Sequence, residues 1–292
     1  GVHLGHRALV DRTRALAAAH EAEAAVLTFD PHPVRVLAPD KAPPLITTDD
    51  DKALLLADAG VEVLLAQRFD RAFAALTPIE FVDAVLVAGL RARAVIVGYD
   101  FRFGARRAGD LDTLRALGAE RGFAVEVISA QTGRGDEIAS SSRVRAYVGA
   151  GEMEAAEALL GRPFHVTGTI VHGHRRGHAL GFPTANIEAE TELAPAVGIY
   201  AGWLDWGEGR RPAVVSVGHN PTFGAGAPRT IEAHVIDATG LDLYERRCRL
   251  WLARRQRDEE TFAGLEALKA AIGRDRDLAR AWLAERAPPT LP

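Results

Sequence analysis

Near the start of the chain, Gly1-Val2-His3-Leu4-Gly5-His6 sets two imidazoles three residues apart at the head of a helical pattern. Side chains at that spacing share one side of a first helical turn. Free backbone amides and the helix dipole attract phosphate there, and Gly1 and Gly5 leave room for a nucleotide to approach the backbone. The competing reading is a pair of surface histidines. A second candidate is Ala139-Ser140-Ser141-Ser142-Arg143-Val144-Arg145, which leads into another helical pattern. Ser141, Ser142 and Arg145 could hold a triphosphate, or the serines could simply cap a helix. Only three of the 35 basic residues are lysine, so a single arginine indicates a phosphate ligand only where a motif supports it. Thr28-Phe29-Asp30-Pro31-His32-Pro33 and Gly98-Tyr99-Asp100-Phe101-Arg102-Phe103-Gly104 each follow a strand-like run, and Gly109-Asp110 comes after the second. Both fall where the ligand edge of an α/β sheet would be.

The second half carries different chemistry. The chain contains no G-x-x-x-x-G-K-[ST], which excludes a Walker-type kinase. Instead, Gly173, Gly177 and Gly181 lie within nine residues and permit an unusual backbone path around phosphates. Pro183-Thr184-Ala185-Asn186 follows, and on an extended segment Thr184 and Asn186 point to one side. Both offer oxygen ligands of the kind magnesium accepts beside nucleotide phosphates, although a polar turn using the same groups for backbone bonds is the plainer alternative. In the β-like run from Ile231, the alternation puts Glu232 and His234 on the face opposite Ile231, Ala233 and Val235. Glu232 is therefore either a solvated strand residue or a carboxylate within reach of a substrate. His165, His172, His174 and His178 lack a carboxylate or cysteine partner at zinc-ligand spacing. Trp203, Trp206 and Trp251 read as barrel packing.

Stretches that must position these groups follow two regimes. Up to about residue 130, apolar runs at 24–29, 61–66, 94–98 and 124–129 alternate with helical patterns at 8–20, 52–59, 79–88 and 111–121. Unbroken apolar runs suit strands buried on both faces of a parallel sheet, and the alternation means an α/β domain. Thr77-Pro78 with Glu80 has the form of a helix start. A helix is expected at 143–160, ending at Gly161-Arg162-Pro163. Beyond it, β-like segments at 164–171, 198–205, 213–217, 231–236 and 247–254 suggest a small antiparallel barrel. Terminal helices are expected at 259–272 and 277–285. The expected domains are thus 1–160 and 161–292.

Bulk properties exclude several classes. The 292 residues are 48% hydrophobic and 25% charged, with a net charge of −4, so nothing marks a nucleic-acid or anionic-membrane surface. No apolar run is long enough to span a bilayer, and no signal peptide is visible. One cysteine, Cys248, fits a reducing cytoplasm.

The paired H-x-G-H and serine-rich segments resemble the HxGH nucleotidyltransferase superfamily. The string Gly173 to Ile187, ending G-F-P-T-A-N-I, resembles the riboflavin kinase signature. Pro195 to Ala201, Ser216 to Phe223, Thr230 to Asp237, Leu243-Tyr244 and Arg257 to Phe262 follow in the matching order. Together with the 28–33 and 98–110 segments, the whole chain resembles the bacterial bifunctional riboflavin kinase/FMN adenylyltransferases. The resemblance implies a Rossmann-like α/β nucleotidyltransferase domain followed by a riboflavin kinase-like β-barrel. It implies phosphorylation of riboflavin to FMN and adenylylation of FMN to FAD, with ATP as co-substrate and Mg2+ as cofactor. His3 and His6 would then act on the triphosphate, and Asp100, Phe101 and Phe103 would lie on the flavin side. Glu232 would be the general base of the kinase, with Thr184 and Asn186 holding the metal. Family members carry Gly-Asn-Phe-Asp or similar ahead of the Gly-Val-His stretch, so part of the first strand is expected upstream of Gly1. Glu245 stands where members usually have glycine. Two other readings stay open: a riboflavin kinase with a non-catalytic front half that binds nucleotide or aids assembly, and a flavin binder without catalysis. A tRNA synthetase reading of H-x-G-H fails for want of room for RNA-binding modules. An assembly of identical chains also stays open.

Overall fold

A computed structural model describes residues 1–133, 136–172, 182–219, 229–238 and 241–290. Packing divides the chain into two compact units. One holds residues 2–44 and 50–139, and the other holds Gly1, Leu45–Asp49 and 140–291.

The first unit runs α1 (Leu4–Ala19), β1 (Ala25–Asp30), α2 (Pro33–Leu37), α3 (Asp49–Asp58), β2 (Val63–Arg68), α4 (Arg71–Ala74), α5 (Pro78–Phe81), β3 (Ala94–Gly98), α6 (Leu111–Arg121) and β4 (Ala124–Ile128). The expected parallel pairing is present as two separate pairs, β1 with β2 and β3 with β4. Most of their residues are half-buried instead of enclosed on both faces. The helix start at Thr77 forms as expected. Its hydroxyl accepts from the Glu80 amide at 3.2 Å, and the Glu80 carboxylate accepts from the Thr77 amide at 2.8 Å. From Val82 the chain continues as a wide π-helical stretch to Gly89. The core gathers Phe81, Val82, Leu86, Val97, Phe103, Leu114 and Phe123.

The second unit contains α7 (Ser141–Ala150), α8 (Met153–Leu160), β5 (Phe164–Val171), β6 (Ala185–Ala189), β7 (Gly198–Asp205), β8 (Arg210–His219), β9 (Arg229–Val235), β10 (Arg247–Arg257) and α9 (Leu265–Ala284). Its strands close a barrel in the order β10-β5-β6-β9-β8-β7, with every pairing antiparallel. Large side chains fill it. Trp251 faces Trp203 across the β10–β7 ladder, and both are essentially unexposed.

Three expectations are corrected. The single helix at 143–160 is two, because Gly151 takes φ 82 and ends α7. The two terminal helices are one, α9, whose middle is fixed from outside. Asp275 there is 5% exposed and takes a two-bond grip from Arg257 at 3.0 and 2.7 Å. That pairing holds a Gly-Arg-Asp-Arg stretch in the helix where local sequence suggests a break. The barrel also has a sixth strand, β6, too short to announce itself beside its own turn residues.

Candidate active sites

His3 precedes α1 and is 8% exposed. Its backbone N–H donates to Nδ1 of His6 at 3.4 Å, and the two rings lie 3.9 Å apart, tilted by 38°. Glycine at position 5 makes this packing possible. A Cβ there would stand 3.0 Å from Cε1 of His3 and 3.7 Å from the Ala139 carbonyl oxygen. Burial pulls the His6 pKa down to about 4, so the ring is neutral at neutral pH. An anion bound beside it would favour the protonated form again.

The 98–110 loop is built around its own side chains. Phe103 and Gly109 form an isolated antiparallel bridge, with backbone bonds of 3.1 and 2.9 Å. Asp110 then caps α6, accepting from the Thr113 amide at 3.0 Å. Phe101 stacks on Phe103 at 5.5 Å with 17° between planes. Phe103 is 5% exposed and belongs to the core, whereas Phe101 is half-buried and Asp100 is exposed. In the other segment, Thr28 to Asp30 end β1, and His32 caps α2 by accepting from the Val34 amide.

Ser141, Ser142 and Arg145 lie in the first turns of α7. Ser140 is its N-cap, taking the Arg143 amide at 3.3 Å. Burial lowers the Arg145 pKa, while the charge of Glu192 opposes that shift. Gly1 packs against Ile46, and a Cβ there would come within 2.7 Å of Ile46 Cγ2.

On the barrel, strand register assembles the site. Asn186 of β6 and Ser216 of β8 both lie directly opposite Glu232 of β9. Opposed residues put their side chains on one face, with Cβ atoms about 5 Å apart. These three therefore stand abreast, while Ile231 and Ala233 turn into the core. Thr184 adds its hydroxyl, whose Oγ1 donates to Glu232 Oε2 at 3.3 Å. Thr184, Asn186 and Glu232, separated by up to 48 residues in sequence, are thus brought together. Gly173, Gly177 and Gly181 lie outside the described residues. Two neighbours were not singled out from sequence. Ser216 is found only through register. Glu259, expected at the start of a terminal helix, instead precedes α9 and brings its carboxylate against Gly218 of β8. A Cβ at Gly218 would meet its Oε1 at 2.9 Å, beside Thr230 Oγ1 at 3.4 Å.

Residues 1–142 match the family model for FAD synthetase, and residues 160–283 match that for riboflavin kinase. The bifunctional riboflavin kinase/FMN adenylyltransferase of Escherichia coli K12 is 41% identical over 282 residues, covering 96% of this chain and 89% of that protein. This chain belongs to the bifunctional riboflavin kinase/FMN adenylyltransferase family. The family's protein from Listeria monocytogenes is 36% identical, with 98% of this chain and 90% of that one covered. Among solved structures, one described as a macrolide-efflux protein from Streptococcus pneumoniae superposes with a TM-score of 0.87 at 28% identity. The match covers 96% of this chain and 90% of that one. Among the described residues, no helix is long and apolar enough to cross a membrane. The departure expected at Glu245 coincides with an unusual backbone conformation. The residue sits at φ 63, in the left-handed region that glycine enters freely.

Proposed function

We propose that the family's two reactions are divided between residues 161–292 and residues 1–160. In the C-terminal part, ATP phosphorylates riboflavin to FMN. Glu232 accepts the proton of the primary ribityl hydroxyl as that oxygen attacks the γ-phosphorus and ADP departs. The observation that carries this reading is the convergence of Thr184 and Asn186 on Glu232. A hydroxyl and an amide oxygen beside a carboxylate are the hard donors that Mg2+ takes alongside nucleotide phosphates. Thr184 and Asn186 would hold that cation, which neutralises phosphate charge.

In the N-terminal part, a phosphate oxygen of FMN attacks the α-phosphorus of ATP, and pyrophosphate leaves as FAD forms. FMN phosphate is already ionised, so the step needs alignment and charge stabilisation more than a base. His3 and His6 supply that stabilisation. Ser141, Ser142 and Arg145 take the phosphate-holding role expected of them, and Asp100 and Phe101 the flavin side. A cytoplasmic setting goes with this reading, supported by the lone buried thiol of Cys248.

The test is to incubate the chain with riboflavin, ATP and Mg2+ and separate riboflavin, FMN and FAD by chromatography. FMN and FAD together are expected. FMN alone would confine the reading to the kinase, and neither product would overturn it.

A further inference from the structure

Two groups on β9 hold the approach to β6. Thr184 bonds Glu232, as described. One residue earlier, the carbonyl oxygen of Pro183 lies 3.0 Å from Nδ1 of His234. A carbonyl only accepts, so Nδ1 carries the proton and donates it. Glu232 and His234 are two residues apart on the strand and share a face. The His234 ring is only 9% exposed. Phe182 packs edge-on against it at 5.4 Å and 78°. Arg276 of α9 lies 5.9 Å from the centre of the Phe182 ring. One helical turn on, Arg280 takes both carboxylate oxygens of Asp237, just past the end of β9. The imidazole is thus clamped, and its single described hydrogen bond goes to the backbone that leads into Thr184 and Asn186.

We propose that His234 is a positioning residue of the kinase reaction: by tethering the Pro183 carbonyl to β9, it sets Thr184 and Asn186 against Glu232. The inference rests on the assignment of Thr184 and Asn186 as the groups that hold the metal–nucleotide. Its chemistry resembles that of hydrogen bonds behind metal ligands, which orient the ligand without touching the metal.

The test uses the full chain with His234→Ala and His234→Asn. The asparagine amide nitrogen stands the same number of bonds from Cβ as Nδ1, so His234→Asn keeps the donor and removes the ring. In His234→Ala, the Mg2+ concentration and the ATP KM for half-maximal riboflavin phosphorylation should rise about 10–100-fold. His234→Asn should restore most of that loss. Adenylylation of supplied FMN should stay unchanged in both, which confines the effect to the kinase reaction. Backbone amide exchange across 182–187, measured without metal or nucleotide, should quicken in His234→Ala and return in His234→Asn. Unchanged exchange and Mg2+ requirement in His234→Ala would overturn the proposal. So would an asparagine variant as impaired as the alanine one. A Glu232→Gln variant that phosphorylates riboflavin at the parental rate would instead overturn the site assignment, with the exchange pattern at 182–187 left as it was.

Discussion

The barrel and the α/β region hold their reactive groups by opposite means. On the barrel, Asn186, Glu232 and Ser216 come from three strands and meet because of ladder register. A one-residue slip of β9 would turn Glu232 into the core. In the α/β region, His3 and His6 sit within one helical turn and touch each other directly. The 98–110 loop closes on itself through Phe103 and Gly109. Long-range register gives a precise site that depends on the whole barrel, while local contacts give one that depends on a few small residues making room.

The sharpest way to break that contrast is Glu232→Gln. Riboflavin phosphorylation should fall about 10²–10⁴-fold, with adenylylation of supplied FMN unchanged. Separate initial-rate assays with riboflavin and with FMN decide it, and parallel losses in both would show that the regions are not independent. Next in size is Gly5→Ala, whose new methyl would press on the His3 ring. FAD formation should drop about 100-fold, the cost of an ångström-scale misplacement, and FMN formation should persist.

A third effect concerns acid. The folded-state pKa of His6 is about 4 against an ordinary 6.5, so between those values the unfolded chain binds the extra proton. Stability is therefore full above about pH 6.5 and is lost as pH falls towards 4, by on the order of 3 kcal/mol. Denaturant titrations across that range should show this limb, and His6→Asn should flatten it. The smallest effect is Glu245→Gly, which relieves a left-handed backbone at Glu245. Because glycine also loosens the unfolded chain, the net gain should stay below about 1 kcal/mol. A gain in thermal stability would confirm the strain, and a loss would show that the Glu245 side chain does more than occupy the position.

Much of the organisation was legible because it rests on local patterning. The periodicity of apolar residues marks β3, β5, β7 and α6 at the residues where they form. Thr77, Pro78 and Glu80 announce their helix through bonds they make with each other. The His3–His6 pair and the candidate trio Thr184, Asn186 and Glu232 were likewise visible, the pair by spacing and the trio through resemblance to a family. What local patterning does not carry is partnership across the chain. The continuity of α9 hangs on Asp275 meeting Arg257, and the split of 143–160 on the backbone conformation of Gly151. Phe103 belongs to the core because Phe81 and Leu114 surround that place. Ser216 joins Glu232 by strand register alone. Residue types and their order determined which chemistry this protein can attempt. Only the closed ladder of β6, β9 and β8 decided that three polar groups would share one face, because alternation assigns a side to each residue but only pairing chooses its neighbours.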